Sequence, residues 1–355
     1  MINMNTEFLN SILEAMGHEF DTFANALAKG TIAELAPPFS DYSIFDGNLI
    51  EYYKVFFQKY QKYLDSINDK TWLFVNSFMH KFIERNGGYD VEFNLQEESQ
   101  LLMFTIVECL KAYYNGSPSS AYKKMEELFF ANESHLLLLL PQIQYNGCLY
   151  RVRNKRGLTT PKDLFHTPFE ERTKCGSYRF SILGYPSLYL SGSLETSLKE
   201  SRIEDLNYSA ICFKNKKTVK CIDLTLPNME LSFWERYSFV LFYPLIMACG
   251  LKVREEGHAF KPEYVIPQLL FQVISKQPDF MGVSYTSTRS ERPDYRNGKQ
   301  RNFVLKVPGA DNPYGQSKEL ASIFECTMPI SPDENEHIKD IELKLRNSQF
   351  VSVLR

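Results

Sequence analysis

The sequence lacks the cysteine spacing of a disulfide framework or a structural zinc site. Its seven cysteines are an odd number, and no two of them have C-x-x-C spacing. Disulfide-rich secreted domains use an even set of closely spaced cysteines, and structural zinc sites usually take them in C-x-x-C pairs. The pattern therefore predicts reduced thiols, most of them buried as small apolar side chains.

Long apolar runs and a strong excess of one charge are also missing. The longest apolar run, 239–251, is too short to cross a bilayer and contains Pro244, so it predicts a buried helix. Residues 1–20 have neither the basic start nor the continuous apolar stretch of a secretory signal. The net charge of -3 provides no general attraction to nucleic acid. We therefore expect a soluble, cytoplasmic protein that binds neither nucleic acid nor membranes directly.

Common catalytic motifs are absent as well. The chain has no glycine-rich dinucleotide fingerprint, P-loop, H-E-x-x-H or G-x-S-x-G motif. No two of its six histidines are four residues apart on a helix, so no metal site is predicted. His166 lies nine residues before Cys175. Catalytic Cys/His pairs are usually distant in sequence and close only in space, so this pair is a weak candidate for a thiol nucleophile.

Residues 1–145 have apolar side chains at helical spacing. Within the first predicted helix, Phe8 to Met16 share one face and Gly17 is placed to cap the C-terminal end. The helix predicted over 71–85 is expected to end at Asn86-Gly87-Gly88. The last two predicted helices, over 96–114 and 118–130, are expected to form an αα-hairpin. Further helices are predicted over 49–64, 71–85, 96–114 and 118–130.

After residue 145 the pattern changes to short β-type runs mixed with helical stretches. Because these do not alternate regularly, the sequence predicts an α+β fold rather than a doubly wound parallel sheet. We expect a helical domain over 1–145, a second domain over 146–330, and a charged tail over 331–355 with at most one short helix. Strands are predicted over 148–152, 187–190, 208–213, 219–224, 280–285 and 303–307, and helices over 193–200, 234–249 and 264–275.

The stretch 176–200 concentrates polar side chains suited to a phosphate-bearing ligand. Arg179 lies in a loop rich in glycine and serine, where a guanidinium can donate two hydrogen bonds to a phosphate. Tyr189 follows near the end of a short strand, and Glu200 lies late in a helix that Ser191 or Ser193 can cap. Taken singly, these three residues are better explained as an exposed arginine, a half-buried core tyrosine and a solvated glutamate.

Taken together, the spacing resembles that of a known family. Arg179, Tyr189 ten residues later and Glu200 eleven residues after that match the RES domain, which is named for its arginine, glutamate and serine. The serine falls on Ser287, in the hydroxyl-rich stretch 282–289, and Leu149-Tyr150-Arg151 resembles the family's first strand. The flanks 163–169 and 260–270 are similar to a longer, mostly bacterial branch. At the arginine, small RES toxins read G-R-W-N, whereas this chain has Tyr178-Arg179-Phe180-Ser181.

The resemblance, which covers 149–308, implies a mixed-β fold related to the mono-ADP-ribosyltransferases, with a cleft for NAD⁺. It also implies an NAD⁺-consuming enzyme that cleaves the nicotinamide–ribose bond by phosphorolysis, hydrolysis or ADP-ribosyl transfer. Such a protein would be a bacterial toxin or defence effector, and an antitoxin or inhibitor protein would be its partner. NAD⁺ would be the substrate, and no metal or prosthetic group is expected. A homodimer is compatible with the sequence.

The resemblance also assigns roles to five residues. Glu200 would bind the ribose hydroxyls and stabilise the developing cation, while Arg179 would hold a phosphate. Tyr189 would orient the nicotinamide or ribose, Ser287 would position the ribose or the amide, and Arg151 would add a second phosphate contact.

Two other hypotheses stay open. A degenerate RES domain would bind a nucleotide or a partner without turnover. Alternatively, residues 1–145 would be the working part of a helical interaction scaffold. If the enzyme hypothesis is right, the same helical region would sense a trigger or bind an inhibitor.

Overall fold

A computed structural model of the chain describes residues 6–36, 47–85, 93–130, 136–227, 231–289, 298–309 and 311–354. The protein is mixed α/β and divides into two compact units. The helical unit comprises residues 1–141 and 229–248. The sheet unit comprises residues 142–228 and 249–355.

The α-helices are distributed over both units. In chain order they are α1 (Thr6–Ala28), α2 (Leu49–Ser66), α3 (Asp69–Arg85), α4 (Leu95–Tyr114), α5 (Pro118–Phe130), α6 (Leu136–Leu139), α7 (Leu194–Ser201), α8 (Phe233–Gly250), α9 (Val265–Ser275), α10 (Lys318–Ile323) and α11 (Ile338–Asn347). Among the described residues, no helix combines the length and apolar character that a membrane span requires.

Four of the predicted helices match α2 to α5 to within two residues at each end. α4 and α5 pack as the expected hairpin, and Gly116 turns the chain between them with φ of 76°. The prediction that Gly17 ends the first helix was wrong, because α1 continues to Ala28. The side chains of Phe8 to Met16 and the stop at Asn86-Gly87-Gly88 lie outside the described part of the chain.

The helix α1 continues past Gly17 because its second half has its own apolar face. Phe20, Ala24 and Leu27 are fully or almost fully buried at helical spacing. One glycine in a helix costs only about 1 kcal/mol relative to alanine, which burial of this face offsets. The chain turns at Gly30 instead, where φ is 63°.

Tyrosines organise the core of the helical unit. The rings of Tyr60 in α2 and Tyr243 in α8 stack with centroids 5.6 Å apart. The Tyr60 hydroxyl donates to the Val240 carbonyl, and the Tyr243 hydroxyl donates to the Leu35 carbonyl. The buried apolar helix predicted around Pro244 is therefore present as α8.

The sheet unit is built on one mixed sheet. Its order is β1-β5-β6-β7-β3-β2-β4-β8-β9, with β5 and β6 parallel and every other neighbouring pair antiparallel. A parallel pair needs a crossover, and the crossover between β5 and β6 contains both α8 and α9. The strands are β1 (Gln142–Tyr145), β2 (Cys148–Arg153), β3 (Ser187–Ser191), β4 (Ser209–Asn215), β5 (Val219–Leu224), β6 (Gly282–Thr286), β7 (Arg301–Lys306), β8 (Phe324–Cys326) and β9 (Val351–Ser352).

The two units differ from the predicted division in three places. The strand β1, expected in the helical region, pairs with β5. Residues 229–248 belong to the helical unit because their tyrosines and apolar side chains complete its core. The tail 331–355 is part of the sheet unit, because α11 packs on α7 and β9 pairs with β8.

Alternate residues of the sheet face two apolar clusters. Leu149 and Ile211 belong to one cluster, whereas their neighbours Tyr150 and Cys212 belong to the other. This is the two-residue period of a strand with both faces covered. The second cluster includes Leu194 and Leu198 of α7 and Ile341 and Leu345 of α11. All seven cysteines are free thiols and five are buried, which confirms that prediction.

Candidate functional site

Three strand ends meet at one edge of the sheet. In β6, Tyr285 pairs with Asn302 of β7, and on the other side Asn302 pairs with Ser191 of β3. The Gly192 N–H donates to the Arg301 carbonyl at 2.8 Å. A Cβ atom at residue 192 would lie 2.7 Å from the Gly298 carbonyl oxygen. The glycine therefore permits the close approach that brings these strand ends together.

The helix α7 carries Glu200 to this edge. Its N-terminus is capped by Ser193, whose Oγ accepts from the Thr196 N–H at 3.2 Å. Burial of Leu194 and Leu198 fixes the helix on the sheet. The helix ends at Arg202, which has the left-handed φ of 54°. Glu200 thus lies in the last turn, with its side chain 26% exposed.

Two side-chain donors hold one oxygen of the Glu200 carboxylate. Ser287 Oγ and Asn302 Nδ2 donate to Oε1 at 2.6 and 2.7 Å. Ser191 Oγ donates to Asn302 Oδ1 at 2.7 Å, which fixes the asparagine amide with its NH₂ group toward Glu200. The other oxygen, Oε2, has Arg289 Nε at 3.6 Å as its nearest recorded cation in the described chain. The structure therefore orients the carboxylate and leaves Oε2 without a short hydrogen bond.

Arg179 is buried, so the interpretation of it as an exposed arginine was wrong. Its side chain is only 6% exposed. Nη1 donates to the carbonyls of Cys249 and Leu251 at 3.0 and 2.8 Å, and Nη2 donates to Thr288 Oγ1 at 3.0 Å. A guanidinium has five N–H donors, so these bonds leave one on Nε and one on Nη2 without a recorded partner in the described residues.

Arg179 and Glu200 are linked through consecutive residues of one segment. Ser287 bonds to Glu200, and the next residue, Thr288, bonds to Arg179. The guanidinium of Arg179 also lies over the Tyr264 ring, with its carbon 5.2 Å from the centroid. The predicted residues Arg179, Glu200 and Ser287 are therefore neighbours in space.

Three tyrosines surround this carboxylate. Burial raises the pKa of Tyr189, Tyr264 and Tyr285 above the usual value, and the nearby charge of Glu200 adds to the increase for each. The Tyr189 hydroxyl is buried, and the nearby Phe180 backbone acts to lower its pKa, but no hydrogen bond of standard geometry satisfies the hydroxyl. The site therefore contains aromatic side chains and a carboxylate in one partly dry environment.

Arg151 reaches the cluster through the backbone of Tyr189. Its Nη1 donates to the Tyr189 carbonyl at 2.9 Å. Its Nε–H is buried and has no recorded hydrogen-bond partner in the described residues. Burial lowers the pKa of Arg151, and the neighbouring charge of Arg153 lowers it further. An anion is the natural partner for such a buried donor.

His166 is not placed to activate Cys175, which agrees with the interpretation of this pair as a weak candidate for a thiol nucleophile. Its Nδ1 lies 2.8 Å from the Thr167 carbonyl, and its Nε2 accepts from the Ser317 N–H at 2.8 Å. Burial lowers the pKa of His166 to about 4. Both ring nitrogens therefore serve the fold. The described residues also contain no group of three or more His, Cys, Asp and Glu side chains placed to hold a metal ion.

The sequence did not single out four residues of the cluster: Asn302, Thr288, Arg289 and Tyr264. Thr288 and Arg289 lie in the hydroxyl-rich stretch 282–289, in which only Ser287 was predicted to be a site residue. Asn302 precedes the predicted strand 303–307, and a polar residue there is an ordinary feature of a strand end. Asn302 becomes part of the cluster only through the strand register that places it between Ser191 and Tyr285.

Comparison with known proteins gives one informative similarity. No family model and no solved structure matches the chain. The chain is 28% identical over 273 residues to a Bacillus subtilis (strain 168) protein named "Putative toxin YopC". The match covers 69% of this chain and 62% of that relative, so the chain spans less than two thirds of the relative's length. The chain is therefore similar to a protein whose name indicates a toxin-like family.

Proposed function

We propose that the protein consumes NAD⁺ by cleaving its nicotinamide–ribose bond and acts as a toxin or defence effector. The observation that carries the proposal is the meeting of Glu200, Arg179 and Ser287, which are far apart in sequence, in one hydrogen-bonded cluster. Their spacing resembles the RES domain, and a relative named as a toxin supports the biological role. The sheet unit would then be a RES domain with an ADP-ribosyltransferase-like fold.

The chemistry requires negative charge beside the ribose. When the C1′–N1 bond breaks, the electron pair leaves with the nitrogen as neutral nicotinamide, and C1′ develops positive charge. An acceptor oxygen then bonds to C1′ and loses its proton. Glu200 would stabilise the cation through Oε2, because Oε1 already accepts from Ser287 and Asn302.

The pyrophosphate of NAD⁺ would be held by buried arginine donors. Arg179 has its Nε–H and one Nη2–H available, and Arg151 has its buried Nε–H. Because three of its donors bind protein groups, Arg179 is rigid before a ligand arrives. A preorganised guanidinium loses little conformational freedom when it binds phosphate.

The remaining residues would orient the substrate. Tyr189 has a buried hydroxyl without a standard partner, which suits a contact with the ribose or the nicotinamide amide. The ring of Tyr178 meets that of Tyr189 edge to face, with centroids 5.8 Å apart. Ser287 would act through Glu200, whose carboxylate it holds in place. The helical unit would sense a trigger or bind an inhibitor protein.

The direct test is Glu200→Gln in the intact 355-residue chain. We expect nicotinamide release from NAD⁺ to fall by about 10²–10³-fold, because the neutral amide cannot stabilise the cation. Glu195→Gln is the matched control, since Glu195 lies on the same helix but is 62% exposed and pairs with Lys199. We expect this control to retain full activity.

The same assay separates the alternatives. Turnover that rises with added inorganic phosphate would identify phosphorolysis, whereas turnover without phosphate would identify hydrolysis. A Glu200→Gln variant as active as the wild type would contradict the proposed role of the carboxylate. Wild-type protein that binds NAD⁺ without consuming it would favour the binding-module hypothesis.

A further inference from the structure

A chain of alternating charges extends from Glu200 toward the surface of the sheet unit. Arg289 lies between two carboxylates, with Nε 3.6 Å from Glu200 Oε2 and Nη2 3.0 Å from Glu256 Oε1. Glu256 Oε2 in turn bonds to Arg202 Nη2. We call Glu200, Arg289, Glu256 and Arg202 the ion-pair chain. It includes the very carboxylate on which the proposed reaction depends.

Arg289 poses a problem for that reaction. A guanidinium can bind one carboxylate through two parallel hydrogen bonds, and such a pair has no net charge. Bound to Glu200 in this way, Arg289 would cancel the negative charge that the ribose cation needs. In the structure its nitrogens are divided between two carboxylates instead, and the shorter contact is with Glu256.

Glu256 is oriented for this task by Arg202. Each oxygen of Glu256 contacts a different arginine, so its Oε1 is presented to Arg289 while Oε2 is held by Arg202. Arg202 ends the helix that carries Glu200 and has a left-handed φ of 54°. A residue with a Cβ atom rarely adopts that conformation, which indicates that the surrounding contacts hold it there.

We propose that Glu256 is a positioning residue that holds Arg289 away from Glu200 and so keeps the catalytic carboxylate charged toward the ligand. This inference rests on the proposed function of the same site. The recorded ion pairs of Glu256 are with Arg202 and Arg289 and not with Glu200. In this proposal Glu256 also does not touch the reacting atoms. It acts through Arg289, by supplying the competing negative charge.

The kinetic test is Glu256→Gln. With the competing charge removed, Arg289 pairs fully with Glu200, and we expect kcat for NAD⁺ cleavage to fall about tenfold with KM changed by less than about twofold. Adding Arg289→Gln to that variant removes the cation and should restore kcat to near the wild-type value. A merely structural role of Glu256 predicts no such rescue.

The matched control is Glu255→Gln, which removes the same charge one residue away. Glu255 is 58% exposed, and its recorded ion pair, at 3.8 Å, is with Arg254 rather than with a member of the ion-pair chain. We expect its kcat to be unchanged. A Glu256→Gln variant with wild-type kcat, or a double variant that stays slow, would overturn the inference.

A crystal structure of the Glu256→Gln variant gives a readout that does not depend on turnover. The distance from Arg289 Nε to Glu200 Oε2 should shorten from 3.6 Å to about 2.7–2.9 Å, the range of a charge-assisted hydrogen bond. An unchanged distance would overturn the inference even if NAD⁺ is consumed. Wild-type protein that leaves NAD⁺ intact would instead overturn the proposed function, while a shortened distance in the variant would still support the role of Glu256 in holding Arg289.

Discussion

The sheet unit buries polar side chains in two regions that use opposite kinds of partner. Around His166, both ring nitrogens meet backbone groups, and the side chain is completely buried. Around Glu200, the donors are the side chains of Ser287 and Asn302, and a quarter of the carboxylate side chain stays exposed. The first arrangement fastens loops together. The second holds a charged group in one orientation while keeping part of it accessible to a ligand.

The tyrosines show the same contrast. In the helical unit, the hydroxyls of Tyr60 and Tyr243 donate to backbone carbonyls and complete a core. Beside Glu200, the Tyr189 hydroxyl is buried without a standard hydrogen bond. A polar group that lacks a partner lowers stability, so its presence in a charged cluster favours a role in binding. Three experiments test whether the two kinds of region differ in this way.

The largest expected effect is the acid sensitivity that His166 gives to the fold. Its pKa is about 4 in the folded protein, against about 6.5 in the unfolded chain. The unfolded state therefore binds the proton more readily, and the stability contribution present above pH 6.5 is lost as the pH falls toward 4. The loss should reach roughly 3 kcal/mol, since each pKa unit corresponds to about 1.4 kcal/mol.

Urea unfolding of wild type and His166→Gln at pH 7 and pH 4 measures this term. Carboxylates titrate in both proteins, so the informative quantity is the difference in unfolding free energy between them. The variant should be less stable than the wild type at pH 7. The difference in unfolding free energy between the two proteins should be smaller at pH 4. An equal gap at the two pH values would show that His166 is not the group responsible.

The second effect concerns Asn302, the residue that orients Glu200. Asn302→Asp keeps the shape of the side chain, but it replaces the NH₂ group that donates to Glu200 Oε1 with a second carboxylate oxygen. If the protein cleaves NAD⁺ as proposed, we expect kcat to fall by about 10²-fold, or roughly 2.7 kcal/mol in activation free energy. Asn207→Asp, at an exposed position of the same unit, is the control and should be fully active. An Asn302→Asp variant with unchanged turnover would show that Asn302 is not needed to orient Glu200 for the reaction.

The smallest effect compares two hydroxyl deletions. Tyr60→Phe removes a hydrogen bond to Val240 and should lower the unfolding free energy by about 1 kcal/mol. Tyr189→Phe removes a buried hydroxyl without a standard partner, so it should raise the unfolding free energy by about 1 kcal/mol. Chemical denaturation of both variants tests the difference. A Tyr189→Phe variant that is destabilised as much as Tyr60→Phe would show that its hydroxyl is held by the protein after all.

Local patterns in the sequence were enough to predict most helices and the central strands. The helices α2 to α5 follow from apolar spacing and from stops such as Asn115-Gly116, which act within a few residues. The pattern failed at Gly17, because a preference for ending a helix is weaker than the burial of Phe20 and Leu27 further along. The edge strands β1 and β9 are short, and they form because a neighbouring strand offers hydrogen bonds.

The site was predictable only in part, for a similar reason. The spacing of Arg179, Tyr189 and Glu200 is a local property, and it pointed to residues that do lie together. The position of Asn302 depends on which strands pair and in what register, and the bonds of Arg179 to Cys249 and Leu251 depend on where the C-terminal end of α8, distant in sequence, is placed. Single-residue preferences contain no information about such pairings.

The placement of α8 has a consequence for how this chain can be divided. The helix lies in the crossover between the parallel strands β5 and β6, yet residues 229–248 pack with the helical unit. The helical unit is therefore discontinuous in sequence, and removing residues 1–141 would not leave an independently folded sheet unit. It would strip α8 of its partners and leave an apolar helix exposed between two central strands. Genetic dissection by truncation would thus report misfolding, and point substitutions are the sounder way to learn what each unit does.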